Sequence, residues 1–360
     1  DGLLLHLIPF DQKNPTEDQF EITLRESVFR PERVGLGYLH VAGFTMEHVA
    51  NGFPWPQIGA LSTNRGHHWL IENNTIRQVN SVGMDIGAQY VNWPQPAIRS
   101  GSHIVRKNTI SECGICGIQA LSCIDNLIED NVLSLNAFHP VESYWENGAI
   151  KTHNTTRTLI RRNLISDTLH GSGIWLDFEA EDSRVCQNIL LNGHTVLGAI
   201  ILEASTRPNL YDHNFIWQNE GNGFHELDCR EQIISHNFVA YCSGRAVHLA
   251  GKVTLRLVYG SQVIPGEHTV TNNILYRNGK NVTSYDKQRD LSNNLVKNLV
   301  ASFKPATYSL KWYVKKKPAR YPAPAMVTGD FFNSPRNSSK QFPGLFVKVY
   351  TTARTIKLRG

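Results

Sequence analysis

Eight times along this chain an asparagine is followed by a β-forming residue and then, in most copies, by an aliphatic one. The copies are Asn74-Thr-Ile, Asn108-Thr-Ile, Asn131-Val-Leu, Asn163-Leu-Ile, Asn188-Ile-Leu, Asn214-Phe-Ile, Asn237-Phe-Val and Asn273-Ile-Leu. The gaps between successive Asn are 34, 23, 32, 25, 26, 23 and 36 residues. Four of these cluster at 23–26 and three are longer by about ten, as one coil per period with insertions in one loop class requires. A Gly-led β run begins 9 or 10 residues after most of the Asn, so each period holds two or three short strands joined by turns. No helix fits, and no amphipathic stripe of 3.6-residue period is present. Ankyrin and tetratricopeptide arrays need helical pairs and are excluded, and the leucine-rich signature is missing. The physical solution is an all-β, right-handed parallel β-helix, a solenoid with coils of about 23–26 residues. A turn preference explains why Asn is used. Its fixed distance before the Gly run calls for more: stacked side-chain amides hydrogen-bonding from coil to coil.

The expected organisation is a β-helix over 1–275 and, over 276–360, a basic, irregular C-terminal β cap or small β appendage packed on the last coils. The opening already reads as strands: 3–10 (LLLHLIPF), 20–29 (FEITLRESVF) and 35–48 (GLGYLHVAGFTMEH). Gly35-Leu-Gly37 is no dinucleotide fingerprint, because no third Gly falls in place and no helix follows. Residues 51–66, with Pro, Gly and Trp, read as a loop. A strand at the start without a cap is odd for a solenoid, so the first coils are expected to have an irregular cap or to lack a preceding segment. The long gap after Asn131 holds 136–147 (NAFHPVESYWEN), which suits a wall of a binding site.

Three Gly-led runs carry acids: Gly173-Ile-Trp-Leu-Asp177, Gly198-Ala-Ile-Ile-Leu-Glu203 and Gly223-Phe-His-Glu-Leu-Asp228. If each run is one rung, Leu176, Leu202 and Leu227 point inward and the three acids share an outer face. Adjacent rungs lie about 4.8 Å apart. Retaining glycosidases need carboxyls about 5–5.5 Å apart, and inverting ones about 6.5–9.5 Å. The pitch therefore suits double displacement by Asp177 and Glu203, whereas Asp177 with Asp228, two rungs apart at about 9.5 Å, would suit inversion. Two close carboxylates push one pKa up. The raised one serves as the acid, so Asp177 is read as nucleophile and Glu203, with its longer arm, as acid/base.

Trp175 alternates onto the same face and is a candidate for stacking on a sugar ring. Lys151 and His153 come onto that face one rung earlier, as candidates for hydrogen bonds to sugar hydroxyls. His225, Glu226 and Asp228, with Trp145 and Glu146 in the insertion, complete the candidate substrate contacts. No metal site and no cofactor are required. On another reading the acid column binds Ca²⁺ and Lys151 or Arg184 is the base of a uronate lyase. On a third the solenoid binds glycan without turnover.

Composition narrows the classes. Hydrophobic residues at 41% and charged ones at 19% fit an ordered chain. No apolar run is long enough to span a bilayer. The opening shows neither a basic n-region nor a cleavage site; the compartment stays open, with a periplasmic or secreted location favoured over a cytoplasmic one. Cys113-x-x-Cys116 lacks a second pair or spaced His, so all six Cys read as packing thiols. The net charge of +5 hides an asymmetry: residues 281–360 hold 15 Lys/Arg against three acids. The run from Lys311 to Arg320 reads as a solvated or polyanionic-glycan surface and not as a nucleic-acid patch. The expected partner is an oligosaccharide substrate, with no nucleic acid and no membrane.

Gly173-Ile-Trp-Leu-Asp177, then Ser183-Arg-Val-Cys-Gln-Asn188, then Leu202-Glu203, resembles the motif of glycoside hydrolase family 120, the β-helical retaining glycosidases typified by β-xylosidases. Residues 20–31 and 35–48 are similar to segments of that group, and the resemblance extends over about 20–275. It implies Asp177 as nucleophile and Glu203 as acid/base of an exo-acting glycosidase on plant or algal oligosaccharides. The acidic run Glu179-Ala-Glu181-Asp182 and the pair Ala204-Ser205 depart from the family pattern.

Overall fold

A computed structural model describes residues 22–359 apart from 54, 89–99, 142–146, 252–256, 259, 286–288 and 337–338. Among the described residues three parallel sheets run along the molecule: sheet A with nine strands, sheet B with ten and sheet C with nine. Each coil visits B, then C, then A, as in Leu159–Arg161, Leu164–Ser166 and Ser172–Asp177. Neighbours in every one of these sheets come from successive coils. The fold is a right-handed parallel β-helix.

The asparagine register explains why the coils stack in this alignment. Each ladder Asn sits in the two-residue turn from sheet B to sheet C and donates its amide to the Oδ1 of the next, at 3.0–3.1 Å, from Asn74 through Asn273 and on to Asn294. The same Oδ1 accepts the backbone N–H of the Asn one coil earlier, as Asn188 does from Asn163. The residue before the Asn lies in the left-handed region: Lys107, Asp130, Arg162, Gln187, His213 and His236 have φ between 54° and 59°. That conformation costs about 1 kcal/mol or more for a non-Gly residue and is offset by the closed hydrogen-bond column beside it.

Inside, aliphatics stack rung on rung. On sheet A, Ile118, Ile150, Ile174, Ile200, Phe224 and Val247 form one inward column. Ala120, Thr152, Leu176 and Leu202 form the next. All six cysteines are buried and unbridged. Burial pushes the Cys116 thiol up to about 12, and that of Cys113 well above its ordinary value, as inert packing groups require.

One boundary needs correction. The coils do not stop near 275: Lys280–Ser284 extends sheet A beside Arg245–Leu249, and Arg289–Asp290 extends sheet B. The C-terminal part is a small β appendage packed beside the later coils. Leu299–Lys304, Ser309–Val314 and Arg354–Lys357 form an antiparallel sheet on the flank. Its Leu310, Trp312 and Val314 pack on Leu191, Phe215, Trp217, Phe238 and Tyr276 of sheet C. The cause is legible in hindsight, because those sheet C residues are apolar on both faces of their strands and demand cover. At the other end, 22–29 forms only an isolated bridge at Phe29, and the strand expected at 3–10 lies outside the described residues.

Candidate active site

The site lies on the outer face of sheet A, where Gly148–Thr156, Ser172–Asp177 and His194–Glu203 stack in order. Lys151 pairs with Trp175 and His153 with Asp177 across the first pair of strands. Leu176 pairs with Leu202 across the second. The next residue on each of those two strands is an acid, so Asp177 and Glu203 sit side by side, one rung of about 4.8 Å apart.

Their surroundings differ. Asp177 Oδ2 takes the Lys151 ammonium at 2.8 Å and His153 Nδ1 at 3.1 Å, while Oδ1 accepts the Phe178 N–H at 2.7 Å. Burial alone would push this carboxyl up. The Lys151 charge and His153 override it and hold Asp177 far below the usual carboxylate range. Glu203 instead accepts the Trp175 indole N–H on Oε2 at 2.9 Å. The Lys151 ammonium also lies 3.6 Å from the centre of the Trp175 ring. One buried cation thus fixes both arms: it ion-pairs with Asp177 and, through its contact with the indole, keeps the donor of Glu203 in place.

The remaining expected residues separate into those brought to the groove and those taken from it. Trp175 does reach the outer face, but it is only 7% exposed and carries Lys151 against one face. It holds Glu203 and is not an open platform for a sugar. His225 pairs with Ile201 and so continues the outward column of Trp175. Asp228 and Glu226 are corrections. Glu203 pairs with Leu227, and Leu202 with Glu226. Glu226 is therefore the inward residue, fully enclosed, and Leu227 takes the outward place expected for an acid. Asp228 falls beyond the strand in a left-handed turn at φ 56°.

The cause is a change of register between His194 and Gly198, where the offset to the next coil drops from 26 to 24 residues. The repeat of 25 from Glu203 to Asp228 is then one residue too long, and a one-residue slip turns a side chain to the other face. Enclosed Glu226 accepts the N–H of Cys229 at 2.6 Å and that of Gly251 at 3.3 Å, with His268 Nε2 3.9 Å away. Burial pushes it up to about 7. Trp145 and Glu146 lie outside the described residues.

Sequence reasoning missed a side wall. Val258 and Val263, from the hairpin pairing Leu257–Val258 with Ser261–Gln262, are buried against Ala204 and Phe178, the residues that follow the two acids. Nothing in the repeat marks this excursion, because its contacts are irregular. Arg184, weighed as a lyase base, lies on sheet B in a bidentate pair with Asp212 and does not face the groove. Among the described residues no three His, Cys, Asp or Glu converge as metal ligands would.

This architecture defines a class, the right-handed β-helix, and the model of the right handed beta helix region matches residues 59–237. Similar solved structures are more particular. The complex of XylC with xylose shares 19% identity at a TM-score of 0.67, over 97% of this chain and 71% of that one. The periplasmic alginate epimerase AlgG, in a mutant form, shares 15% at a TM-score of 0.57, over 73% and 70%. A PL6 family alginate lyase, AlyGC, shares 13% at a TM-score of 0.50, over 74% and 40%. No curated protein sequence matches the chain.

Proposed function

We propose that the protein is a retaining, exo-acting glycoside hydrolase on oligosaccharides, β-xylosidase-like, working by double displacement through Asp177 and Glu203. The carrying observation is the pairing of two unlike carboxylates on adjacent rungs. Asp177 is held ionised by Lys151 and His153, as a nucleophile must be. Glu203 accepts the Trp175 indole N–H on Oε2, which orients its carboxyl beside Asp177 for proton transfer to and from the glycosidic oxygen. In the first step Asp177 attacks the anomeric carbon as Glu203 protonates the departing glycosidic oxygen. In the second, Glu203 takes a proton from water, which attacks the same carbon and releases Asp177. The rung pitch of about 4.8 Å lies near the carboxyl spacing of retaining enzymes and below that of inverting ones, which favours retention over inversion. The likeness to XylC, a structure holding xylose, agrees with a glycosidase.

A uronate lyase, as the likeness to AlyGC would suggest, needs a free base. Lys151 is engaged by Asp177 and Arg184 by Asp212. The test is a panel of aryl glycosides on the parent, Asp177→Asn and Glu203→Gln. Turnover should vanish in Asp177→Asn. In Glu203→Gln, azide should restore it, because azide attacks the glycosyl-enzyme without a base. Full activity in Asp177→Asn would end the proposal. Glycan binding that survives the substitution, with no turnover in the parent, would make the solenoid a binding module.

A further inference from the structure

The outer face of sheet A continues past Glu203 toward the C-terminal end. In one outward column Trp175 is followed by Ile201, His225, His248 and Thr283. In the other, Glu203 is followed by Leu227, and Tyr285 lies two coils beyond Leu227, just past the last paired residues Leu249 and Ser284. His225 and His248 stand edge to face with ring centres 4.9 Å apart, and His248 meets Tyr285 at 6.1 Å. Each imidazole is fixed through Nδ1, His225 beside the Asn222 amide at 3.2 Å and His248 beside Thr283 Oγ1 at 2.9 Å. Tyr285 is 71% exposed.

The order of the rungs gives this stripe a direction. Asp177 addresses the anomeric carbon, and Glu203, one rung on, addresses the glycosidic oxygen. The next rungs in the same sense lie under the leaving group. From Glu203 to Tyr285 is three rungs, about 14 Å, longer than one pyranose ring. Beyond Glu203 these two columns carry no acid and no Lys or Arg. Burial keeps both imidazoles neutral, with His248 lowered to about 4; Arg245, at the far end of its strand, works in the same direction. Among the described residues, Arg245 and Lys280 at that edge and Asp228 in the turn beyond Leu227 flank the stripe with charge.

We propose that His248 and Tyr285 form leaving-group subsites for an uncharged oligosaccharide, with Tyr285 stacking on a sugar at least one residue beyond the cleaved bond. This rests on the assignment of Asp177 and Glu203 made above. Cleavage is then favoured by a longer leaving group, and the substrate class is a neutral glycan, not a uronate polymer.

The experiment compares kcat/KM on an aryl xyloside with that on xylo-oligosaccharides of two, three and four residues, for the parent, His248→Ala and Tyr285→Ala. The gain from aryl xyloside to tetrasaccharide should shrink about tenfold in each variant, the size of one lost aromatic contact. Binding of the same tetrasaccharide, and of an oligouronate, to Glu203→Gln is read by calorimetry. The neutral glycan should bind more tightly than the oligouronate, and more weakly when Tyr285→Ala is added. An unchanged chain-length gain, unchanged binding, or a preference for the oligouronate would overturn the stripe. A parent inert on every glycoside would overturn the hydrolase reading alone, with calorimetry still deciding whether the stripe binds glycan.

Discussion

Replacing Lys151 by Met keeps the length of the side chain and removes its charge. Lys151 and Asp177 are among the least exposed charged groups of the chain, with side chains 1% and 8% accessible and 2.8 Å between their charges. At an effective dielectric of about 20, their attraction is about 6 kcal/mol. Part of that is offset by the desolvation of both ions, and breaking such a pair from one side costs about 3–5 kcal/mol. His153 remains against the same oxygen at 3.1 Å and places the expectation toward the lower figure. The sign with pH follows from Asp177, whose folded pKa is depressed. Its contribution is fully present above the unfolded value of about 4 and is lost as pH falls. The deficit of Lys151→Met, measured by urea unfolding, should therefore be full from neutrality down to about pH 4 and shrink below it. The acidic limb of kcat/KM should move upward. Because the two groups act as one unit, Lys151→Met with Asp177→Asn should lose at least about 2 kcal/mol less than the sum of the single changes. Additive losses with an unmoved acidic limb would refute the claim that Lys151 holds the nucleophile ionised.

Trp175→Phe removes the donor to Glu203 Oε2 and should lower kcat/KM by about 3–10-fold, the worth of one hydrogen bond to the protonated acid; a change below twofold would show the indole to be filler. Asn188→Ala strips an acceptor from Asn163 and a donor from Ile160 inside the ladder. It should cost at least about 3 kcal/mol, whereas exposed Asn281→Ala should stay within about 0.5 kcal/mol. Equal urea midpoints for the two would deny the ladder its structural role. Glu226, raised to about 7 by burial, disfavours the folded state as it ionises, so stability should fall as pH rises from about 4.5 to 7. Glu226→Gln should flatten that slope and gain up to about 3 kcal/mol at pH 8. An identical slope in parent and variant would place the cause elsewhere.

The parts of the fold that repeat were legible and the parts that break the repeat were not. Asn74 through Asn273 marked the coil because each must meet its neighbour, and spacing alone carries that constraint. Asp177 and Glu203 were legible for the same reason, each following an inward Leu that keeps the parity. Glu226 and Asp228 were misplaced because parity is lost at the irregularity between His194 and Gly198, which no residue type announces. His248 was overlooked although Gly244-Arg-Ala-Val-His-Leu249 is a further Gly-led run whose His stands in register with His225. The docking face of the C-terminal appendage was not legible because Leu310, Trp312 and Val314 alternate like any strand, and only the doubly apolar strands of sheet C say where they dock. That Trp175 serves Glu203 follows from the rotamer chosen under Lys151, a property of packing and not of order along the chain.

The central claim is that Asp177 becomes covalently bonded to the sugar. A 2-deoxy-2-fluoro glycoside with an activated leaving group, built on whichever sugar the parent turns over, traps that intermediate for mass spectrometry of the digested protein. The expected result is one adduct, on the peptide that contains Asp177, absent from Asp177→Asn. Labelling of another residue, or hydrolysis with inversion at the anomeric carbon, would contradict the account.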